Sequence, residues 1–168
     1  IEGQSAFRYA APDFTQQSLG SFPSFVDASK NDLGIVMVDV NGDNYTDIVK
    51  GKQPAPGTVY LFSNTSGLRY TASTTITNVP QLVDVDGNDL GIRFGDFNGD
   101  GYMDYIRSRE GITMYLYLNN GGTGWNNPIQ PSGPMWFVDI NGGDTGARVM
   151  DVNGDGLDDV ISHKDGLN

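Results

Sequence analysis

The sequence predicts an all-β fold built from repeated four-stranded units, and three observations carry that prediction. One acidic loop occurs three times, as Asp39-Val-Asn-Gly-Asp-Asn-Tyr-Thr-Asp47, Asp96-Phe-Asn-Gly-Asp-Gly-Tyr-Met-Asp104 and Asp151-Val-Asn-Gly-Asp-Gly-Leu-Asp-Asp159, at separations of 57 and then 55 residues. The likeness extends past the loops: Phe25-Val-Asp-Ala-Ser-Lys-Asn-Asp-Leu-Gly-Ile35 aligns with Leu82-Val-Asp-Val-Asp-Gly-Asn-Asp-Leu-Gly-Ile92 and Phe137-Val-Asp-Ile-Asn-Gly-Gly-Asp-Thr-Gly-Ala147. No window has helical periodicity, whereas short apolar or alternating runs recur between Gly-rich turns.

Taken in order, each unit reads as four strands. In the first copy a nearly continuous apolar run over residues 33–40 enters the loop, and residues 47–52 leave it. Residues 58–64 alternate, and residues 74–79 are polar and β-branched. Thr58-Val-Tyr-Leu-Phe-Ser-Asn64 has its counterpart in Thr113-Met-Tyr-Leu-Tyr-Leu-Asn119, and Leu68-Arg-Tyr70 in Phe7-Arg-Tyr9. The chain therefore divides into the end of a preceding repeat (1–24), repeat 1 (25–81), repeat 2 (82–136) and an incomplete repeat 3 (137–168). Four-stranded units of this length are β-propeller blades by period. The apolar first strand is expected to be innermost and buried on both faces. Three blades do not close a propeller, so the chain is expected to form part of a larger propeller or of a repeat assembly. Head and tail, residues 1–9 and 165–168, could complete one another between copies.

The loops carry the chemistry. Oxygen-bearing side chains at positions 1, 3, 5 and 9, around a tight turn at positions 4 to 6, make a cage for a hard cation, and Ca2+ is the natural occupant of three such sites. Position 12, where a helix-loop-helix calcium hand places its bidentate Glu, holds Lys50, Arg107 and Ser162, so position 9 closes this loop. The expected ligands are Asp39, Asn41, Asp43 and Asp47, then Asp96, Asn98, Asp100 and Asp104, then Asp151, Asn153, Asp155 and Asp159. The backbone carbonyls of Tyr45, Tyr102 and Leu157 are expected to complete each set. Position 6 is Gly101, Gly156 or Asn44, residue types that tolerate a left-handed backbone. Turn preference alone also selects Asp, Asn and Gly, but it does not place a fourth acid at position 9 in every copy.

Composition bounds the function. The 168 residues are 38% hydrophobic, enough for a core, and no stretch is long and apolar enough for a membrane span or a secretory signal. A first residue that is not Met implies processing or trimming upstream. A formal charge of −11 argues against a nucleic-acid partner. Three bound divalent ions would reduce it to −5. With no Cys, disulfides and thiolate metal sites are excluded. Calcium cages of this kind suit an extracellular or cell-surface setting, where the ion is abundant.

The arrangement resembles the FG-GAP/VCBS repeats of integrin α-subunit propellers and of many secreted bacterial proteins, including the shells of large insecticidal toxins. Asp39-Val-Asn-Gly-Asp, Asp47-Ile-Val-Lys-Gly and Ala55-Pro-Gly-Thr-Val-Tyr60 follow that pattern, and Phe94-Gly95 precedes the second loop. Repeat 2 lacks the Ala-Pro step. The Asn-Asp-Leu-Gly-Ile lead-in is similar to the bacterial branch. The resemblance implies a non-catalytic calcium-binding module acting as scaffold, adhesion surface or filament subunit. Its partners would be further blades of a parent chain, other copies, or protein or glycan ligands.

Other candidates are weaker. His163 is the only His and nothing orients it toward Ser162, so catalysis has no constellation to stand on. Asp158 reads as a solvent-facing neighbour of the ligand Asp159, and the two acids do not suggest glycosidase chemistry. Asp27/Asp32, Asp84/Asp86/Asp89 and Asp139/Asp144 read as turns, with an auxiliary ion site at Asp84, Asp86 and Asn88 as the alternative. Trp125, Trp136, Tyr70, Tyr102, Tyr115 and Tyr117 supply aromatic surface, which keeps a carbohydrate-binding propeller as the second reading. The propeller portion of a secreted toxin or enzyme is the third. Asn44 and Asn64 fit the glycan acceptor pattern, and Asn64 is the better placed.

Overall fold

A computed structural model describes residues 6–10, 13–17, 22–63, 69–133 and 135–162. The described elements are all strands, and every sheet is antiparallel. Strands β1 (Ala6–Ala10) and β2 (Asp13–Gln17) form a hairpin. A four-stranded sheet follows in the order β3 (Ile35–Val38), β4 (Asp47–Lys50), β5 (Thr58–Ser63), β6 (Arg69–Ala72). Repeat 2 gives β7 (Ile92–Gly95), β8 (Asp104–Arg107) and β9 (Tyr115–Tyr117), and repeat 3 gives β10 (Ala147–Met150) and β11 (Asp159–Ser162).

The register repeats with the sequence. Val38 opposes Asp47, Gly95 opposes Asp104 and Met150 opposes Asp159, so every loop closes between the last residue of the incoming strand and the ninth loop residue. Because successive side chains alternate in a strand, this shared register gives all three loops the same orientation on their sheets.

Four expectations are corrected. The fourth strand of repeat 1 is β6, not residues 74–79, because Tyr70 is the buried aromatic there and packs edge-on against Phe62 at 5.2 Å, while Ser73 and Thr75 hydroxyls bond one another in a turn. The first strand is not the most buried one: Met37 is 50% exposed, whereas Ile48 and Val49 of β4 are fully buried. Sheet order explains this, since β3 stands at an edge and β4 between two strands. Repeat 2 is not four-stranded: among the described residues it shows three named strands, while repeat 3, expected to be incomplete, shows two. In repeat 2, Leu116 exchanges hydrogen bonds with Ile129, at 2.9 and 2.8 Å, where a fourth strand would lie. Pro128 beside it has no N–H to extend the ladder. The head, expected to be completed by the tail of another copy, already has a partner strand in its own chain, since residues 6–10 pair with 13–17. The tail at 165–168, His163 and Asn64 lie outside the described residues.

Two apolar clusters lie between repeats. Val40, Val49 and Val59 of repeat 1 meet Leu82, Ile92, Tyr105 and Trp125 of repeat 2, with Trp125 only 1% exposed. Ile106 of repeat 2 joins Phe137 and Ala147 of repeat 3. Burial of this apolar surface is what fastens one repeat to the next. Backbone bonds reinforce it, with the Gly51 carbonyl accepting from Leu82 N at 2.7 Å and Val83 N at 3.1 Å. Gly51 is required by this approach: a Cβ there would stand 2.2 Å from the Pro80 carbonyl oxygen.

Candidate calcium loops

Each loop is wound by its first acid. Asp39 accepts Gly42 N–H and Asn44 N–H, both at 2.8 Å. Asp96 accepts Gly99 N–H at 2.7 Å and Gly101 N–H at 2.9 Å, and Asp151 accepts Gly154 N–H and Gly156 N–H at the same two distances. Those donations require left-handed residues at positions 4 and 6. Gly42, Gly99 and Gly154 have φ of 73°, 75° and 80°, and Asn44 takes the position-6 role at 65° without a glycine. The backbone donors of Gly156 and Gly154 hold the Asp151 carboxyl below the usual range.

Positions 3 and 5 are tied in the same way in all copies. Asn41, Asn98 and Asn153 donate an amide N–H to Asp43, Asp100 and Asp155, at 3.1, 2.9 and 3.0 Å. Those three acids each accept the N–H of position 7, at 2.9 Å, from Tyr45, Tyr102 and Leu157.

Position 9 does something different. Asp47 and Asp104 are fully buried. Asp47 accepts Val40 N–H at 3.1 Å and Phe62 N–H at 2.9 Å, so it staples the loop entrance to β5. Asp104 does the same through Phe97 N–H at 3.0 Å and Asn119 N–H at 2.7 Å. Asp159 accepts Val152 N–H at 3.3 Å. Burial pushes the Asp104 carboxyl up to about 6 against the pull of those donors, and Asp100 and Asp96 push the same way. Asp47 is raised for the same leading reason.

The donor set fits a hard cation: all ligands are oxygen, each loop has three carboxylates, and the buried acid has neighbours of its own sign. Apart from Asp96 Oδ1, which accepts both Gly99 N–H and Asp100 N–H, each bonded carboxylate oxygen of the loops retains a lone pair beyond the N–H it accepts. Among the described residues no three acids stand as a ready-made cluster, because the carboxylates are turned to the loop's own N–H groups.

The loops also contact one another, which the sequence alone did not reveal. A Cβ on Gly42 would meet the Tyr102 ring at 2.7 Å, and one on Gly99 would meet Leu157 Cδ2 at 2.7 Å. The side chain at position 7 of each following loop thus lies over the position-4 glycine of the loop before it. Asp158 is not solvent-facing as expected. Its carboxylate accepts Asp96 N–H at 2.7 Å and its own N–H donates to the Asp96 carbonyl at 2.8 Å. Asn119 makes the corresponding bridge between repeats 1 and 2, donating to the Val40 carbonyl at 3.0 Å and to the Met103 carbonyl at 3.1 Å.

The lead-in acids are turn formers. Asp84 accepts Asp86 N–H and Asn88 N–H at 2.9 Å, and the Asn88 side chain above all holds its carboxyl low. Asp89 and Asp144 cap Gly91 and Gly146 and form ion pairs with Arg93 and Arg148 at 2.8 and 2.9 Å.

This is an all-β repeat protein whose repeats are joined through a row of acidic loops. The model of an FG-GAP-like repeat family matches residues 39–107. Among curated proteins no sequence matches it. Two solved structures share the fold. A lectin of Agrocybe aegerita, described as recognising non-reducing terminal N-acetylglucosamine, superposes with a TM-score of 0.63 at 18% identity, over 92% of this chain and 39% of that one. The Photorhabdus luminescens Tc holotoxin pore superposes with a TM-score of 0.62 at 19% identity, over 95% of this chain and 7% of that one. The chain therefore spans well under half of either protein.

Proposed function

We propose that this chain is a calcium-stabilised, extracellular β-repeat module that acts as a scaffold or adhesion surface and has no catalytic role. The observation that supports this best is the hydrogen-bond pattern that the three loops share at positions 1, 3 and 5, down to the N–H groups of positions 4 and 6 that Asp39, Asp96 and Asp151 each accept. Without an ion, three carboxylates per loop repel one another, two of the closing acids from within the core. Ca2+ held by positions 1, 3, 5 and 9 and the carbonyl of position 7 would relieve that repulsion and lock each repeat to its neighbour.

The test is thermal unfolding with a chelator and again with calcium restored. At calcium tenfold above the dissociation constant, each site adds about 1.4 kcal/mol, so three sites raise the melting temperature by on the order of 10 °C. Identical melting curves in the two conditions would reject the reading.

Carbohydrate binding is the second reading, favoured by one observation. Trp136 is 37% exposed and, with Thr113 and Gln130, lines a cavity of about 360 Å³. An indole face beside hydroxyl and amide groups suits a sugar ring. A glycan array on the calcium-loaded chain separates the two readings.

A further inference from the structure

A second cavity, of about 300 Å³, lies on the junction of repeats 1 and 2. Its walls come from the turn after β4 (Gln53, Pro56), the crossing segment Val79, Pro80 and Gln81, and the strands β7, β8 and β9. Arg107 and Gln53 line it together with the rings of Tyr105 and Tyr117, and no acid does, although the chain carries 21 acids. Arg107 ends β8 and Asp104 begins it, so the cavity and the calcium loop sit at opposite ends of the same strand.

Three other arginines of repeats 2 and 3 have partners. Arg93 and Arg148 hold carboxylates, and Arg109 donates to the Ile140 carbonyl at 3.0 Å. Arg107 forms no ion pair among the described residues, and its Nε–H is buried with no acceptor. An unpaired buried donor on a guanidinium is unfavourable, and the group that best satisfies its planar fork is a carboxylate. The remaining polar groups suit the rest of a small ligand. Gln81 commits its amide N–H to the carbonyls of Pro54 and Ala55, leaving its oxygen to accept, while Tyr105 donates to the Asn78 carbonyl. The corresponding positions are Lys50 in repeat 1 and Ser162 in repeat 3, so the guanidinium, though not the positive charge, is particular to this junction.

We propose that this cavity is a binding site for a small carboxylate, with Arg107 gripping the carboxylate and Gln53 and Gln81 meeting polar groups on the rest of the molecule. The site is independent of whether the loops bind calcium, and it is not the Trp136 cavity.

The experiment titrates the calcium-loaded chain with glucuronate, propionate and glucose, read by heteronuclear NMR shifts at Arg107, Tyr117 and Gln53. Glucuronate is expected to bind, and Arg107→Gln to weaken it at least about tenfold, the scale of a lost charge-assisted pair. Arg107→Gln removes a buried donor that has no acceptor, so the fold should survive it. If that variant does not fold, Arg107→Lys and Gln53→Ala read the same site, each with a several-fold loss. Binding of both carboxylates assigns the site to the carboxylate itself, and binding of glucuronate alone to an acidic sugar. Failure of both carboxylates to bind, equal binding of glucose, or unchanged affinity in the Arg107 and Gln53 variants would overturn the proposal.

Discussion

The calcium-type loops and the lead-in turns use almost the same residues, yet they are different devices. Asp84-Val-Asp-Gly-Asn and Asp96-Phe-Asn-Gly-Asp both begin with an acid that accepts backbone N–H groups across a tight turn. In the lead-in the last acid, Asp89, goes to Gly91 N–H and to Arg93, so its charge is answered by a guanidinium. In the loop the closing acid is buried in the core and bonded only to backbone donors, beside acids of its own charge. Turn chemistry winds both segments. The placement of the last carboxylate, paired with a cation or left for one, sets them apart.

The sharpest way to break the comparison is Asp104→Ala. It leaves the Phe97 and Asn119 N–H groups without their acceptor inside the core and should cost about 2–5 kcal/mol on the scale of two unsatisfied donors. It should also remove one bound calcium, counted by equilibrium dialysis. Retention of three ions would place Asp104 outside the coordination shell.

A smaller effect is expected from Asp158→Ala. It removes the acceptor of Asp96 N–H while sparing loop 3's own turn, a loss of about 1 kcal/mol by the worth of a single hydrogen bond. Hydrogen exchange at Asp96 should quicken, and an unchanged rate would mean the bridge does not form in solution.

Asp89→Ala should change least. The Arg93 pair is partly exposed, so melting in calcium should fall by less than about 1 kcal/mol, with all ions retained. Loss of an ion equal to that in Asp104→Ala would make the lead-in a metal site.

The Asp144 pair gives a pH signature opposite in sign to that of the buried closing acids Asp47 and Asp104. Its carboxyl is lowered from 3.8 to about 2, chiefly by the Arg148 side chain. A depressed acid stabilises above its unfolded value and loses that contribution as pH falls through the folded one. The melting difference between the parent and Asp144→Asn, measured with chelator, should therefore hold at pH 5 and shrink toward pH 2. The exposed pair makes it small.

Much of this was legible in the sequence because the period is strict. The loops, their left-handed positions and the strands on either side follow from Asp, Asn and Gly at fixed offsets, and Asn44 at φ 65° is the case where residue choice foretells the backbone. The outer strand was misplaced because residues 74–79 have β propensity, whereas Tyr70 has the burial, and packing decides. Asp158 and Arg107 were missed for another reason. Each acts across a junction between repeats, and a period compares equivalent positions without saying which of them touch. Only their departure from the other copies, an acid where Thr46 and Met103 stand and an Arg where Lys50 and Ser162 stand, marked them.

The seating of Tyr102 on Gly42 and of Leu157 on Gly99 gives the two junctions one contact in common. Repeat 2 presents a bare glycine on one side and a covering side chain on the other, so a copy of it arrives already fitted, at this contact, to both neighbours. A gene could lengthen or shorten the array by whole repeats without inventing a new contact. A deletion inside the loop of residues 96–104, by contrast, would damage two junctions at once. Selection on such a chain therefore acts on copy number more freely than on loop length.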